Sequence, residues 1–575
     1  MASQDATDAV NRRRRGSLAC NACRTRRTKC DGLRPKCSFC RKRNKDCIYQ
    51  EVREIPPTRF DMEISAIWER LDQITSILRP ESTLGEMSVA TQLHANLSRG
   101  QDIFPRYPFM VLQSQSFMGL LGFNPSMARD IMLIERGEPI LMTHLPPEAT
   151  IWIDINHANH LLDVFLEQIN IWYPVLHASF IEQLLQSIAE SFPTSPESCL
   201  SLLVITVGSL FECGSSWQGI REQAGSIYLQ TALEMLPSVL IDDSIRGVQC
   251  LLLFSIYFNC LLRPCRALDF VTVASSKIQN LLKRLNYDAD PEQLSMARNC
   301  YWIAWLIESE LTVQLGFSES GICDMNTMVP IPLSTNVISE IELSNCTLED
   351  SSPISDTSTL YDRLSYFIAE IAIQKLVQRS TRYIWTDADS GFTFAPIVAA
   401  ELERQMDEWY RYLPDTLCFL DGDDEEFTNT SPHNRAHAAF LRTQYFAFRT
   451  SIYWPAAYQA IDVGEADAAL LLPCQRFFDS YIQFITSSAS AVLVCKSHTW
   501  TLLTSVFVIS AAAVKASVTL CLKGVVRPEV TKGLHTALRM LSEVSQVSPS
   551  LALLRDNLHQ YICSQSSFSG QSYTP

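Results

Sequence analysis

The sequence lacks the short motifs that mark the common enzyme classes. It has no Gly-Lys-Ser/Thr phosphate loop, no G-x-S-x-G nucleophile turn and no H-E-x-x-H zinc-protease helix. Asp154, His157 and His160 could share one helix face, but no fourth metal ligand is in view, and we interpret them as ordinary polar helix positions. We therefore predict that the protein is not an enzyme.

Segments that would direct the chain to a membrane are also missing. Met1 to Val10 is polar and Arg12–Arg15 follow at once, which is unlike a secretory signal. The stretch Ser497–Val514 has no Lys, Arg, Asp or Glu, but it contains His498 and several hydroxyl side chains and lacks flanking anchors. We predict a buried helix of a large bundle, a protein with no membrane partner, and a nuclear location.

Six cysteines near the N-terminus form the strongest motif, C-x2-C-x6-C-x6-C-x2-C-x6-C. A disulfide framework is possible on spacing alone, but thiolate pairs two residues apart are typical of tetrahedral zinc sites. The other thirteen cysteines show no repeated ligand spacing and are interpreted as reduced, buried side chains. Six thiolates are too few for two separate four-ligand sites, so two must bridge. This predicts a cluster of two Zn²⁺ ions held by Cys20, Cys23, Cys30, Cys37, Cys40 and Cys47.

Basic residues are concentrated around these cysteines. Residues 11–50 contain 14 Lys and Arg against two Asp, a net charge of +12, and the rest of the chain carries 33 basic and 60 acidic residues, a net charge of −27. A basic patch on an acidic chain is typical of a module that binds a polyanion. The alternative is a structural zinc knuckle with a solvated basic face.

This stretch resembles the fungal six-cysteine binuclear zinc-cluster transcription factors. The residues that carry the resemblance are Cys-Arg-x-Arg-Arg-x-Lys-Cys-Asp, from Cys23 to Asp31, and Arg34-Pro35-Lys36-Cys37. The resemblance implies that Cys20 and Cys37 bridge the metals, that Cys23 and Cys30 complete one site, and that Cys40 and Cys47 complete the other.

The resemblance also implies recognition of CGG triplets in double-stranded DNA by Arg26 and Arg27. A short helix starting near Cys23 would present basic side chains to the major groove, where arginine bonds both O6 and N7 of guanine. We expect the other basic residues of the module to bind phosphates and add affinity without much specificity; they are Arg24, Lys29, Arg41, Lys42 and Arg43.

A short heptad pattern follows a proline-containing linker at 51–58. Apolar residues are spaced 4, 3, 4, 3 and 4 within 59–80, and Pro80 stops the pattern. We predict a coiled-coil dimerisation helix, and hence a homodimer, formed through Phe60, Ile64, Ile67, Leu71, Ile74 and Leu78. The alternative is an amphipathic helix that packs on its own chain.

Most of the remaining chain has helical periodicity, and we predict a mainly all-α fold. Residues 81–144 form a connecting region with short helices, and 145–563 form a large helical domain. Its best-matching part, 145–335, resembles the middle regulatory region of the same family, through a Pro-x-Leu-His-x-x-Phe segment, a Gln-x-Leu-Leu-Leu helix with an Arg-Pro turn, and a Tyr-Trp helix. The resemblance implies a regulatory role, with a small-molecule effector or a partner as alternative inputs.

Three further segments complete the prediction. Residues 1–16 form a basic disordered tail and 564–575 a serine-rich disordered tail. Asp415–Phe427 alternates acidic and bulky apolar residues, as a coactivator-binding activation segment does, although an exposed acidic loop is the stronger interpretation.

Together these features predict a nuclear transcription factor of RNA polymerase II genes, comprising a zinc-cluster domain at 17–50, a dimer helix and a helical regulatory domain. We expect a pathway-specific activator that recruits coactivators, with a specialised-metabolite gene cluster as one candidate target. The alternatives are a repressor or ligand sensor of the same build and, from another class, a zinc protein that binds RNA or single strands.

Overall fold

The computed structural model divides the chain into two compact units, Met1–Ser82 and Thr83–Pro575. In the first unit the structure describes residues 22–23, 28, 30, 36–43 and 45–47. In the second it describes residues 112–139, 152–177, 180–212, 214, 216–285, 290–315, 320–332, 354–383, 394–419 and 431–568. The predicted dimer helix at 59–80, the linker before it and the N-terminal tail at 1–16 lie outside these residues.

The described part of the chain contains helices and no strand, which confirms the predicted all-α fold. In the first unit a short helix, α1, spans Ser38–Lys42. The helices of the second unit are α2 Gln115–Leu121, α3 Met127–Gly137, α4 Ile155–Phe165, α5 Phe180–Ala189, α6 Pro196–Glu212, α7 Trp217–Gln223, α8 Ile227–Glu234, α9 Leu236–Ile241, α10 Ile245–Cys260, α11 Pro264–Arg284, α12 Pro291–Leu315, α13 Ile354–Tyr383, α14 Pro396–Arg411, α15 Pro432–Val463, α16 Ala468–Val494, α17 Thr499–Val518, α18 Glu529–Val544 and α19 Pro549–Phe568.

Local sequence signals fix many of the helix ends. The side chain of Ser244 accepts a hydrogen bond from the backbone N–H of Arg246 and so caps α10, as its position before the apolar run predicts. Asp154 caps α4 in the same way through the N–H groups of Asn156 and His157. Proline occupies the first turn of α11, where its missing N–H leaves no helical hydrogen bond unmade.

Helix α17 lies at the centre of the second unit. The segment Lys496–Val518 is long and apolar enough to cross a membrane, but 78% of its most apolar window is buried inside the protein. It packs against α10, α12, α15, α16, α18 and α19. The interpretation of this charge-free stretch as a core helix is therefore confirmed.

Residues 112–139, which the sequence places in a connecting region, pack within the helical unit. The ring of Phe117 on α2 stacks on Tyr458 with centroids 5.3 Å apart and meets Trp454 edge-on. Phe123 lies 4.7 Å from the ring of Tyr561 on α19. These long-range aromatic contacts tie the segment to helices far along the chain, and they are invisible to a search for helical periodicity.

Two other predictions differ from the structure. The side chains of Leu417 and Phe419 in the acidic segment are buried, and the N–H of Phe419 donates to the phenol oxygen of Tyr410, so these apolar groups are unavailable to a coactivator. The rest of that segment, 420–430, lies outside the described residues. Helix α19 runs through 564–568, which were predicted to be disordered, and the hydroxyl of Ser564 donates to the carbonyl of Tyr561.

Candidate zinc cluster and nucleic-acid interface

Three cysteine sulfurs meet in the first unit. Cys23, Cys37 and Cys40 are fully buried, and their Sγ atoms all lie within 4.8 Å of one another. Cys30 and Cys47 are partly buried and pack against this group. None of the described cysteines forms a disulfide.

Helix α1 positions this group of sulfurs. Cys37 is the N-cap of the helix, and its Sγ accepts a hydrogen bond of 3.4 Å from the N–H of Cys40. The N–H of Cys37 in turn donates to the Sγ of Cys47 over 3.2 Å. The C-x2-C spacing therefore brings Cys37 and Cys40 together through one turn at the start of a helix.

The sulfur geometry is compatible with tetrahedral zinc. A Zn–S bond of about 2.3 Å puts two sulfurs of one tetrahedron about 3.8 Å apart. The Sγ atoms of Cys23 and Cys37 are 3.7 Å apart. Cys37 is thus close to Cys23, from the first half of the motif, and to Cys40 and Cys47, from the second half. Bound as thiolates, these side chains would supply ligands to zinc, and the metal would supply folding free energy that so small a unit cannot obtain from a core.

The described basic residues lie on the surface beside the sulfurs. Arg41, Lys42 and Arg43 are exposed at the C-terminal end of α1, and the guanidinium of Arg43 lies 5.0 Å from the ring centre of Phe39. Their exposure leaves their charges available to phosphates. Cys20 and the predicted DNA contacts Arg24, Arg26, Arg27 and Lys29 lie outside the described residues.

Comparison with known proteins agrees with this geometry. The sequence profile of the fungal Zn(2)-Cys(6) binuclear cluster domain matches residues 18–54. The "Putative transcription factor ecdB" of Aspergillus rugulosus is 32% identical to the chain, over 96% of the chain and 99% of ecdB. The chain belongs to the fungal Zn(2)-Cys(6) binuclear cluster transcription factors. It is therefore a DNA-binding transcription factor and not an enzyme, and its N-terminal domain binds two zinc ions.

Other proteins named as transcription factors match the chain more weakly or over shorter stretches. Transcription factor kojR of Aspergillus flavus is 23% identical over 59% of the chain and 60% of kojR. An ABC-transporter-regulating transcription factor of Aspergillus oryzae is 37% identical over 16% of the chain and 10% of its own length. No solved structure matches the chain.

The polar trio noted in the sequence does not converge on a metal site. The carboxylate of Asp154 accepts from two backbone N–H groups at the start of α4. His157 turns to Glu212, with 2.8 Å between Nε2 and Oε1. These partners agree with the interpretation of Asp154 and His157 as ordinary polar helix positions.

A buried polar cluster in the helical unit was not predicted. Tyr173, His498, Glu310 and Thr501 form a continuous set of hydrogen bonds, and Glu370 is buried close by. Two of its members lie at recognisable places in the sequence, since Tyr173 directly precedes the Pro-x-Leu-His-x-x-Phe segment and His498 interrupts the charge-free stretch. Their proximity depends on tertiary packing.

Proposed function

We propose that this transcription factor binds paired CGG triplets in promoter DNA as a homodimer and activates the genes of one pathway. The observation that carries the proposal is the group of cysteine sulfurs at zinc-compatible distances beside exposed Arg41, Lys42 and Arg43. In this assignment Cys20 and Cys37 bridge the two zinc ions. Arg26 and Arg27 read the bases, and the other basic residues of the module hold phosphates.

The heptad pattern from Phe60 to Leu78 supports dimerisation, and its position directly after the linker would set the separation of the two triplets. A nuclear location follows from action on chromosomal promoters. Recruitment of coactivators belongs to the same proposal, but Leu417 and Phe419, two apolar residues of the segment that the sequence indicates for it, are buried. A specialised-metabolite gene cluster is the candidate target.

Site selection from random duplex DNA tests the binding part of the proposal. The zinc-loaded full chain is incubated with the DNA pool, with and without a zinc chelator. We expect paired CGG triplets at one fixed separation, with enrichment lost on chelation. Enrichment of single triplets would contradict the homodimer but would still support CGG recognition in duplex DNA. Enrichment of no sequence would contradict CGG recognition and favour the RNA or single-strand alternative.

A reporter gene controlled by the selected site tests whether the protein activates or represses transcription. We expect expression to rise when the chain is produced. A fall in expression would contradict activation and identify a repressor of the same build. Because this measurement uses the selected site, it is made only after site selection has identified that site.

A further inference from the structure

One face of α15 carries a row of residues that includes two arginines. Residues three, seven and ten positions apart lie above one another on a helix, so this row follows the helix axis for about 15 Å. It consists of Arg435, Ala438, Arg442 and Tyr445, and we call it the basic stripe. Arg449, one turn further along the same face, is already paired with Glu403 over 2.6 Å.

The two arginines of the basic stripe lack an anionic partner within the described part of the chain. Arg435 is exposed, and neither Arg435 nor Arg442 forms an ion pair with a described residue. Arg442 is half-buried, its guanidinium carbon lies 6.0 Å from the ring centre of Phe446, and its Nε is buried without a hydrogen-bond partner. A partly buried guanidinium is stabilised by an anion that accepts its hydrogen bonds. The stripe therefore favours an acidic ligand.

An acidic segment of the same chain begins at one end of the stripe and finishes at the other. The ring of Phe419 lies 5.7 Å from that of Tyr445, at the C-terminal end of the stripe. Ser431 lies at the N-terminal end, where its side chain caps α15 by accepting a hydrogen bond from the N–H of Asn434. Residues 420–430 lie between these two positions and outside the described residues. They include five carboxylates, Asp421, Asp423, Asp424, Glu425 and Glu426.

Chain length limits how far these carboxylates can lie from the stripe. The helix rises about 21 Å from Ser431 to Tyr445, and the chain from Phe419 to Ser431 can span at most about 40 Å. The carboxylates are therefore tethered within about 20 Å of the two arginines, which corresponds to an effective concentration in the millimolar range. A separate acidic molecule would need a comparable concentration to compete with them.

We propose that the basic stripe is the docking surface of the chain's own acidic segment, with carboxylates from 421–426 bound by Arg435 and Arg442. Charge complementarity and chain length both favour this occupant over an acidic partner protein or a second copy of the chain. The inference does not depend on CGG recognition, on dimerisation or on activation of transcription.

Cleavage of the zinc-loaded full chain by a glutamate-specific endoprotease tests this contact, because a docked segment is protected from the protease active site. Mass spectrometry follows cleavage after Glu425 and Glu426 and, as an internal reference, after the exposed Glu182 on α5. We expect the double variant Arg435→Gln/Arg442→Gln to be cleaved in the segment about tenfold faster than the wild type, since hydrogen bonds to charged groups are worth that factor. Cleavage after Glu182 should not change. Equal cleavage of the segment in the two chains would overturn the proposal.

A matched variant and two changes of condition separate this contact from other causes. Lys532→Gln/Arg539→Gln removes the same charge from exposed positions on α18 and should leave cleavage of the segment unchanged. If it accelerates cleavage as much as the stripe variant does, overall charge is the cause and the assignment to α15 is wrong. Raising the salt concentration from about 0.05 to about 0.5 M should accelerate cleavage of the wild type relative to the stripe variant, and a ratio independent of salt would contradict a contact between charges. Protection that increases with protein concentration would assign the segment to a second copy and contradict a contact within the chain.

Discussion

The phenol oxygen of Tyr173 lies 2.7 Å from Nε2 of His498, although 325 residues separate them in the sequence. The other ring nitrogen of His498 lies 2.5 Å from a carboxylate oxygen of Glu310. Burial lowers the pKa of His498, but the Glu310 carboxylate raises it, and the net result is a pKa well above the ordinary value. A charged imidazole thus joins three distant segments inside the helical unit.

Replacing the phenol of Tyr173 should weaken this connection between distant segments by removing its hydrogen bond to His498. Tyr173→Phe leaves a buried nitrogen of His498 without its partner, so we expect the free energy of unfolding to fall by about 1–3 kcal/mol. Urea unfolding of the full chain at pH 7, followed by far-UV circular dichroism, measures the change. Tyr412→Phe removes a half-buried phenol with no hydrogen bond to the described residues, and should change stability by less than about 0.5 kcal/mol. Equal losses in the two variants would show that the hydrogen bond contributes nothing.

Stability should also depend on pH through Glu370. Burial raises the pKa of this carboxyl to about 7. Two smaller contributions oppose each other, because His498 lowers the pKa and Glu310 raises it. The folded state therefore holds a proton that the unfolded state releases near its ordinary pKa of 4.5, and stability falls as the pH rises through this window.

Glu370→Gln removes this proton linkage. Between pH 5.5 and 7 we expect the wild-type free energy of unfolding to fall by about 1–2 kcal/mol more than that of the variant. Glu182→Gln, at an exposed position on α5, should follow the wild-type pH profile. Parallel profiles for wild type and Glu370→Gln would mean that the carboxyl titrates normally in the folded protein.

Close contact between α4 and α6 requires a glycine at position 208. A Cβ built there would lie 2.2 Å from the backbone oxygen of Leu161, which cannot move aside as a flexible side chain could. Gly208→Ala should therefore destabilise the helical unit by about 1–3 kcal/mol in thermal or urea unfolding. Gly119→Ala, in a helix position with open space around it, should be stabilising by about 0.5–1 kcal/mol. If both substitutions stabilise, α4 and α6 are not in contact at this position.

Loss of the Cys37 sulfur should test whether this cysteine bridges the two zinc ions. If Cys37 bridges, Cys37→Ala removes a ligand from both metals, and we expect the zinc content after dialysis to fall from two ions to fewer than one per chain. Elemental analysis measures this ratio. Cys563→Ala, on α19, should retain two. Retention of two zinc ions by Cys37→Ala would assign the bridge to other cysteines.

The basic residues of the zinc module should divide into base readers and phosphate binders. Arg27→Ala should weaken binding to the selected DNA site by about 1–3 kcal/mol and relax the preference at one base of the triplet. Lys42→Ala should weaken binding to all sequences alike and reduce the slope of log affinity against log salt by about 1. Affinities for a site and its single-base variants, at several salt concentrations, check both. Identical behaviour of the two variants would contradict the division.

The local features of this protein could be predicted from the sequence, and the contacts between distant segments could not. The C-x2-C spacing predicts the turn that joins Cys37 and Cys40, and Ser244 predicts the start of α10, because each depends on residues a few positions apart. Burial of Phe419 depends on its packing against Tyr410 and Tyr445 on two neighbouring helices, and the contact of Phe123 with Tyr561 depends on a helix far along the chain. For the same reason the sequence marked His498 as unusual in an apolar stretch without indicating Tyr173 as its partner.

The contact between Phe123 and Tyr561 has a consequence for synthesis of the protein. Translation proceeds at about 5–20 residues per second, so roughly 440 intervening residues take about 20–90 seconds to appear. During that time the zinc module can fold on its metal, whereas the ring of Phe123 still lacks the last helix that covers it. A message cut short before α19 would therefore yield a finished DNA-binding module on a helical unit that chaperones and proteases recognise as incomplete.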